Sequence, residues 1–298
     1  MKEIAVIMPA LSLSGLHAFR ELERALGQES VDFALVTNGR TVEAAATREL
    51  TESQVVSKHE NLGFGRSINF AAHKFSSHAW IVIVNDDVHV EEADLLGHLR
   101  RIASTSPSPE IVYLVDETAR TIPGLREVVT NLSLIGVSSS RLRRKTRGSS
   151  PTDTLPSTDY ASFSFVAIRK DLWQTLSGFD EKLPFTYEDA DFVRRAYELG
   201  ARAIIAPLPG ARHEGSRTTS SYVDIVLPVT AWSAVKYLEK WTKSVPLSRV
   251  VVIAAMIMRI PLVLFSRANR RKHLIGILTS VRAVWICAEP ELPNYQEF

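Results

Sequence analysis

Over the first 102 residues, short β-branched runs alternate with segments whose apolar residues recur every three or four positions. The runs predict buried strands, and the recurring apolar positions predict helices that cover them. The predicted strands span residues 4–8, 33–36, 55–56 and 80–84, and the predicted helices span residues 16–26, 67–75 and 91–102. This alternation is typical of an α/β fold with a parallel sheet, helices on both faces and ligands at the carboxyl ends of the strands.

The pattern weakens between residues 104 and 160. Residues 138–159 are rich in Ser, Thr and Pro around the basic run at 141–147. This segment has two interpretations, a solvated loop or a loop that closes over an anionic ligand. The remaining predicted elements are strands at 111–115, 163–168 and 203–206 and a helix at 192–199.

Two adjacent carboxylates follow the run at 80–84, the strongest strand signal in the chain. Asp86 and Asp87, with Asn85 before them, would stand at the end of a buried strand, where each carries a desolvation cost and repels the other. A divalent cation would relieve that cost, since hard oxygen ligands suit Mg²⁺ or Mn²⁺ and leave positions for phosphates. The alternative is a polar turn that caps the helix at 91–102.

A second acidic group, Tyr187-Glu188-Asp189-Ala190-Asp191, directly precedes the helix predicted at 192–199. Negative charge is favourable at a helix N-terminus, so helix capping explains at least one of these three acids. Capping does not require all three. A crowded carboxylate beside a metal site is therefore a candidate general base.

Two further motifs lie in predicted loops. A lone histidine is more often structural than functional, but His213 stands between Gly210 and Gly215, which indicates a loop rather than a core position and keeps a ligand role open. The segment Asn61-Leu62-Gly63-Phe64-Gly65-Arg66-Ser67-Ile68-Asn69 places two glycines before a helix, where the backbone can approach a phosphate or a nucleobase closely. It matches neither the phosphate-loop motif nor the dinucleotide fingerprint.

Taken in chain order, these motifs resemble those of the family-two glycosyltransferases, especially the rhamnosyltransferase-like branch. The family pattern is a strand ending in Pro, V-D-N-G-S, N-x-G-F-G-x-x-N, a strand ending in N-x-D, G-G-F-D-E, E-D-x-D and a downstream His. The matching segments are Pro9, Val36-Thr37-Asn38-Gly39-Arg40, Asn61 to Asn69, Asn85-Asp86-Asp87, Ser177-Gly178-Phe179-Asp180-Glu181, Glu188-Asp189-Ala190-Asp191 and His213. Thr37 and Arg40 depart from V-D-N-G-S, in the segment that usually lies by the nucleobase and ribose.

The resemblance implies a GT-A fold, a Rossmann-like and mostly parallel sheet with helices on both faces, over residues 1–225, followed by a helical extension at 226–298. It implies an inverting enzyme that uses Mn²⁺ or Mg²⁺ to transfer sugar from a nucleotide-diphosphate sugar to a glycan or lipid-linked acceptor, in cell-surface polysaccharide or cell-wall assembly. Asp189 is the implied base, Glu188 positions the acceptor, and Asp87 and His213 bind the metal. The implied donor-binding residues are Pro9, Asn38, Arg40, Gly63, Gly65, Asn69, Asn85 and Asp86.

The C-terminal extension differs from the rest of the chain in charge. Residues 229–298 carry ten basic and four acidic side chains. Residues 250–265 are nearly all apolar but are interrupted and too short to span a membrane, and residues 274–285 place apolar side chains on one helical face. Basic residues beside apolar faces are typical of helices that lie in an anionic membrane surface. The alternative is a helical appendage packed on the catalytic domain or on a second copy of it.

Composition narrows the function further. The 298 residues are 45% hydrophobic and 23% charged, which excludes collagen-like and disordered chains, and the lone Cys287 cannot form an internal disulfide. A net charge of +2 gives no basis for nucleic-acid binding. No signal-peptide pattern is visible, so we expect a cytoplasmic protein that is peripheral on the inner face of the cell membrane. The rival functions are a sugar nucleotidyltransferase and a non-catalytic nucleotide-sugar-binding membrane scaffold.

Overall fold

A single twisted sheet forms the centre of the protein. The computed structural model describes residues 2–27, 29–51, 54–58, 60–133, 153–215, 222–265 and 269–292. The strands in these ranges are β1 (Ile4–Ala10), β2 (Val31–Asn38), β3 (Val55–Lys58), β4 (Trp80–Val84), β5 (Val88–Val90), β6 (Ile111–Tyr113), β7 (Arg120–Thr121), β8 (Asp153–Thr154), β9 (Asp159–Tyr160), β10 (Phe165–Arg169), β11 (Ala203–Ile205) and β12 (Ala211–His213).

Within the described ranges, eight strands pair in the order β3-β2-β1-β4-β10-β6-β11-β8. Six of them run in one direction, while β10 and β8 run antiparallel to their neighbours. Two small ribbons, β5 with β12 and β7 with β9, flank the sheet. The predicted mostly parallel α/β sheet is therefore confirmed.

Helices cover both faces of the sheet. They are α1 (Leu13–Leu26), α2 (Arg40–Glu49), α3 (Phe64–Ala72), α4 (Leu95–Ala103), α5 (Leu125–Ser133), α6 (Lys170–Thr175), α7 (Glu188–Glu198), α8 (Val223–Thr242), α9 (Val245–Phe265) and α10 (Arg270–Ile286). Side chains alternate along β1, so Val6 belongs to the buried cluster that includes residues of α1, α2 and α4, while Ile7 belongs to the cluster that includes residues of α3, α5 and α7. The expected placement of helices on both faces of the sheet is confirmed.

The C-terminal helices share the core of the sheet. Leu227 of α8, Met256 of α9 and Ile277 of α10 belong to the same buried cluster as Ile7 of β1. The helical character of the extension is confirmed, and its boundary at residue 225 stays a prediction. Among the described residues, none of the helices combines the length and hydropathy needed to cross a membrane.

Several element boundaries differ from the predicted ones for local physical reasons. The first strand continues through Pro9 to Ala10, because β4 pairs with β1 only as far as Ile7 and no ladder is interrupted there. Helix α4 begins at Leu95, since the Asp94 carboxylate caps it by accepting a hydrogen bond from the Gly97 N–H at 2.7 Å. The basic run at 141–147 lies outside the described residues.

Candidate active site

The turn after β4 is brought against His213 by strand pairing. β5 follows Asp87 directly and pairs antiparallel with β12, so that Val88 is opposite His213. The Glu214 N–H also donates to the Asp87 carbonyl at 3.1 Å. As a result, Nε2 of His213 lies 3.1 Å from Oδ2 of Asp87, although the residues are far apart in sequence. The structure thus joins two residues that the motifs assigned to one metal site.

Glu117 orients the ring of His213 from the other side. Its Oε1 atom lies 2.6 Å from Nδ1 of His213 and 2.6 Å from Oγ of Ser164. A carboxylate only accepts, so the Nδ1–H group donates to Glu117, and Nε2 is the ring nitrogen that faces Asp87. Nε2 of His213 and Oδ1 of Asp87 are both buried and have no hydrogen-bond partner among the described residues.

The two unpartnered atoms, Nε2 of His213 and Oδ1 of Asp87, decide whether a metal ion fits here. A buried imidazole nitrogen and a buried carboxylate oxygen form a donor set suited to a divalent cation when the ring carries its single proton on Nδ1. Within the described ranges, no group of three or more His, Cys, Asp or Glu side chains is placed to hold one. The pair therefore fits Mn²⁺ or Mg²⁺ as a two-residue site whose other positions are left to water or to a substrate's phosphates.

Asp86 points away from this pair, toward the start of α1. A Cβ atom on Gly15 would lie 3.1 Å from Oδ2 of Asp86 and 2.8 Å from Cβ of Ala10, so the helix approaches the turn closely where it has no side chain. Burial, followed by the charge of Asp87, raises the pKa of Asp86 to about 6. Asn85 is held through its backbone, whose N–H donates to the Ser164 carbonyl at 2.8 Å.

The second acidic group begins α7 after two residues with left-handed backbone. Thr186 and Tyr187 both have φ of 66°, a conformation that costs a non-glycine residue free energy and is common at functional sites. Glu188 is 7% exposed and its Oε2 atom has no partner among the described residues, while Asp189 is half-buried. The helix begins at Glu188 rather than near Phe192, which places both acids in its first turn.

Burial raises the pKa of both carboxyl groups, Glu188 and Asp189. Desolvation raises the pKa of Asp189 to about 6. Desolvation and then the charge of Asp189 raise the pKa of Glu188 well above its ordinary value. Burial therefore makes both carboxyl groups more basic than exposed ones, and the charge of Asp189 adds to this effect at Glu188.

The two acidic groups lie on the same edge of the sheet. The pKa of Asp189, raised chiefly by burial, is also lowered by the charge of Arg120 on β7 and raised by the charge of Glu117. Glu117 in turn bonds to His213. Glu117 thus contacts the Asp87–His213 pair through His213 and acts on Asp189 through its charge, so the edge has both a candidate cation site and a candidate base.

The third acid of this motif has a structural position. Asp191 is fully buried and accepts hydrogen bonds from Nε of Arg195 at 2.8 Å and from Nε1 of Trp241 at 3.0 Å. Nζ of Lys240 lies 2.8 Å from Oδ1 of Asp191 and 2.8 Å from Oδ2 of Asp180. Asp191 therefore connects α7 to α8.

Two predicted donor-binding residues are polar side chains buried inside the protein. The Asn38 carboxamide oxygen accepts a hydrogen bond from Oγ of Ser67 at 2.9 Å. Asn69 pairs with the backbone of Phe179, donating to its carbonyl at 2.9 Å and accepting from its N–H at 2.8 Å. These contacts give both asparagines a structural part, and their contact with a donor stays a prediction.

The two glycines of the segment from Asn61 to Asn69 allow neighbouring segments to pack closely against it. Gly63 has φ of 80°, and a Cβ there would lie 2.1 Å from the carbonyl oxygen of Pro184. A Cβ on Gly65 would lie 3.2 Å from that of Phe179. Pro9 pairs with Val36 near the end of β1, and Arg40 is the first residue of α2. Donor binding by these four residues also stays a prediction.

The sequence analysis did not identify Glu117, Arg120 or Ser164. Asp116 and Glu117 follow the run predicted as a strand at 111–115, so the strand-end rule that selected Asp86 and Asp87 also applies to them. Arg120 and Ser164 carry no comparable signal, because their positions depend on ribbon and sheet pairing.

No protein-family model and no curated protein matches the sequence. Solved structures do align with it. Residues 1–349 of TarS from S. aureus align with a TM-score of 0.47 and 14% identity, over 95% of this chain and 80% of that one. A second S. aureus TarS structure aligns with a TM-score of 0.49 and 12% identity, over 95% of this chain and 54% of that one.

A third likeness is to glucosyl-3-phosphoglycerate synthase from Mycobacterium tuberculosis, solved with Mn²⁺, uridine-diphosphate-glucose and phosphoglyceric acid. It aligns with a TM-score of 0.47 and 15% identity, over 80% of this chain and 79% of that one. Because all three likenesses are distant, the function of this chain has to be argued from its own residues.

Proposed function

We propose that this chain is a metal-dependent inverting glycosyltransferase that moves a sugar from a nucleotide-diphosphate sugar to a hydroxyl of a glycan or lipid-linked acceptor. The observation that carries the proposal is the convergence of Asp87 with His213, and of Asp189 with Glu188, on one edge of the sheet around Glu117. Displacement of a diphosphate by a hydroxyl needs a positive charge beside the leaving group and a base beside the nucleophile. This edge offers residues for both.

Asp189 is suited to the base role by its environment. With a pKa of about 6, it is mostly ionised near neutral pH yet more basic than an exposed aspartate. As the acceptor oxygen bonds to the anomeric carbon, its proton passes to the Asp189 carboxylate and the bond from that carbon to the diphosphate breaks. Burial raises the pKa of Glu188, which favours its protonated form, and in that form the carboxyl group donates a hydrogen bond that can position an oxygen of the acceptor.

The other half of the edge faces the leaving group. Asp87 and His213 would hold Mn²⁺ or Mg²⁺, and the ion would supply positive charge against the departing diphosphate. Glu117 keeps the His213 ring in the tautomer that directs Nε2 toward Asp87. A single displacement with a base on the acceptor side inverts the anomeric centre. The choice of a deoxysugar such as rhamnose rests on the motif resemblance alone.

The test is donor binding and turnover with and without metal. The full chain is incubated with UDP-, GDP- and dTDP-linked sugars in Mn²⁺ or in EDTA, while thermal stability and nucleoside diphosphate release are recorded. We expect one nucleotide class to raise the melting temperature, and release to require Mn²⁺. Asp87→Ala should lose both effects. Asp171→Ala, which removes an exposed aspartate on α6, should keep them.

Two results would overturn the proposal. One is turnover that is equal in Mn²⁺ and EDTA. The other is the absence of stabilisation by any nucleotide sugar or nucleoside diphosphate in the presence of metal.

A further inference from the structure

Among the side chains of helix α9 that the structure describes, those exposed are all apolar. The exposed residues along its length are Val245, Pro246, Leu247, Val250, Ala254, Ile257, Met258, Pro261 and Leu264. From Leu247 to Leu264 they recur at alternating spacings of three and four, so they form one stripe along the helix. A surface helix of a water-soluble domain normally places polar residues on its outer face. The outer face of α9 therefore lacks the polar residues that are expected on a helix facing water.

Helix α10, which packs against α9, has a mixed outer face. Arg271, Ile275, Leu278, Arg282 and Trp285 are exposed and follow one another at spacings of four, three, four and three. Leu278 is 70% exposed and Trp285 is 76% exposed. Of the fourteen large apolar side chains exposed in the described ranges, ten lie on α9 and α10, which shows that the exposure is concentrated on this pair of helices.

The charge of this pair of helices has one sign. Residues 245–286 contain seven arginines and lysines and no aspartate or glutamate. A second copy of the chain would bring the same basic residues against themselves, which costs free energy. An anionic lipid surface offers opposite charge and an apolar layer together, and an amphipathic Trp favours the boundary between them.

We infer that the exposed faces of α9 and α10 dock on the surface of an anionic lipid bilayer, with both helices lying along it. The apolar stripe and Leu278 enter the acyl boundary, while Arg271 and Arg282 meet the phosphate groups of the lipids. The inference goes beyond the proposed transferase function, since it concerns where the full chain binds rather than what it transfers.

The test uses the full chain with vesicles of phosphatidylcholine alone or mixed with phosphatidylglycerol. Sedimentation should show binding only to the anionic vesicles, weaker but not abolished at high salt, because screening removes the charge contribution and leaves the apolar one. Ile257→Glu and Leu278→Glu should release the protein. Leu199→Glu is the matched control, since Leu199 is a 57% exposed leucine outside these helices. Replacing Arg271 and Arg282 by Gln should weaken binding about fivefold per residue.

Trp285 gives a second readout that does not depend on a variant's folding. The chain has five tryptophans, and the other four are buried or half-buried. Brominated anionic lipids should quench the fluorescence of the wild-type protein, and Trp285→Phe should remove the quenching while vesicle binding persists.

Binding that survives both Glu substitutions, or binding without quenching of Trp285, would overturn the inference. So would a chain that ignores anionic vesicles at low salt. In that case light scattering decides between a homodimer interface, which the Glu substitutions would convert to monomer, and a surface with neither role. Binding of nucleoside diphosphate is measured separately, so that failure here is distinct from failure of the proposed function.

Discussion

Nζ of Lys240 lies 2.8 Å from Oδ1 of Asp191, a carboxylate that is fully buried. The contact connects α8 to α7, the helix whose first turn carries Glu188 and Asp189. A buried carboxylate requires full compensation for the water it has lost, and Lys240 supplies much of the opposing charge. The candidate base is therefore held in place partly from the C-terminal helices.

Removing Lys240 should destabilise the protein. In Lys240→Ala, Asp191 keeps Arg195 and Trp241 but loses a cation, and we expect the free energy of unfolding to fall by about 2 kcal/mol. Urea denaturation followed by circular dichroism measures the change. Lys182→Ala, which removes an exposed lysine from the neighbouring loop, is the control and should change little. Equal stabilities for the two variants would contradict the structural role given to this contact.

The rate of the proposed reaction should follow the ionisation of Asp189. The carboxyl group acts only when ionised and its pKa is raised to about 6, so kcat/KM should rise with pH through about 6 and then level off. Asp189→Asn should lower the rate about 10²- to 10⁴-fold and remove this inflection. The pH profile is measured as the rate of nucleoside diphosphate release at saturating Mn²⁺. A variant that keeps the inflection would mean that another group is the base.

Replacing Glu188 by Gln should stabilise the protein above acidic pH. Burial raises the pKa of Glu188 well above 4.5, so the folded state binds a proton that the unfolded state has already lost. The wild type therefore loses stability as pH rises from 4.5 to the folded-state pKa, and Glu188→Gln does not. The gain of the variant, measured from melting temperatures, should be absent below pH 4.5 and grow through this window. A gain that is constant with pH would contradict the assignment.

Loss of Glu117 should weaken metal binding although Glu117 is not a proposed ligand. Glu117→Ala frees the His213 ring to rotate, and second-shell losses of this kind typically cost about 10- to 100-fold in affinity. Calorimetric titration with Mn²⁺ measures it. Glu117→Gln retains an acceptor oxygen and should recover part of the affinity, whereas Asp116→Ala removes the exposed neighbouring carboxylate and should have no effect. Identical affinities for all three variants would exclude the positioning role.

The sequence predicted the sheet well because its inner strands are uninterrupted apolar runs, and the strand-end rule then selected Asp86 and Asp87. Helix α2 was not predicted, because Asn38-Gly39 is a dipeptide typical of turns and the helix begins directly after it, at Arg40. Strand β5 was missed because three residues give too little pattern. The partnership of Glu117 with His213 was also out of reach, because it spans 96 positions and depends on where β6 and β12 lie in the folded chain.

Side chains of α8, α9 and α10 lie in the same buried cluster as β1, so the sheet edge with the candidate site and the helices after it are not separable modules. A chain ended at residue 225 would lose the part of this cluster that α8, α9 and α10 contribute, and would lose Lys240 as well. The full chain should therefore unfold in one cooperative thermal transition. A chain without the C-terminal helices should not retain the proposed activity.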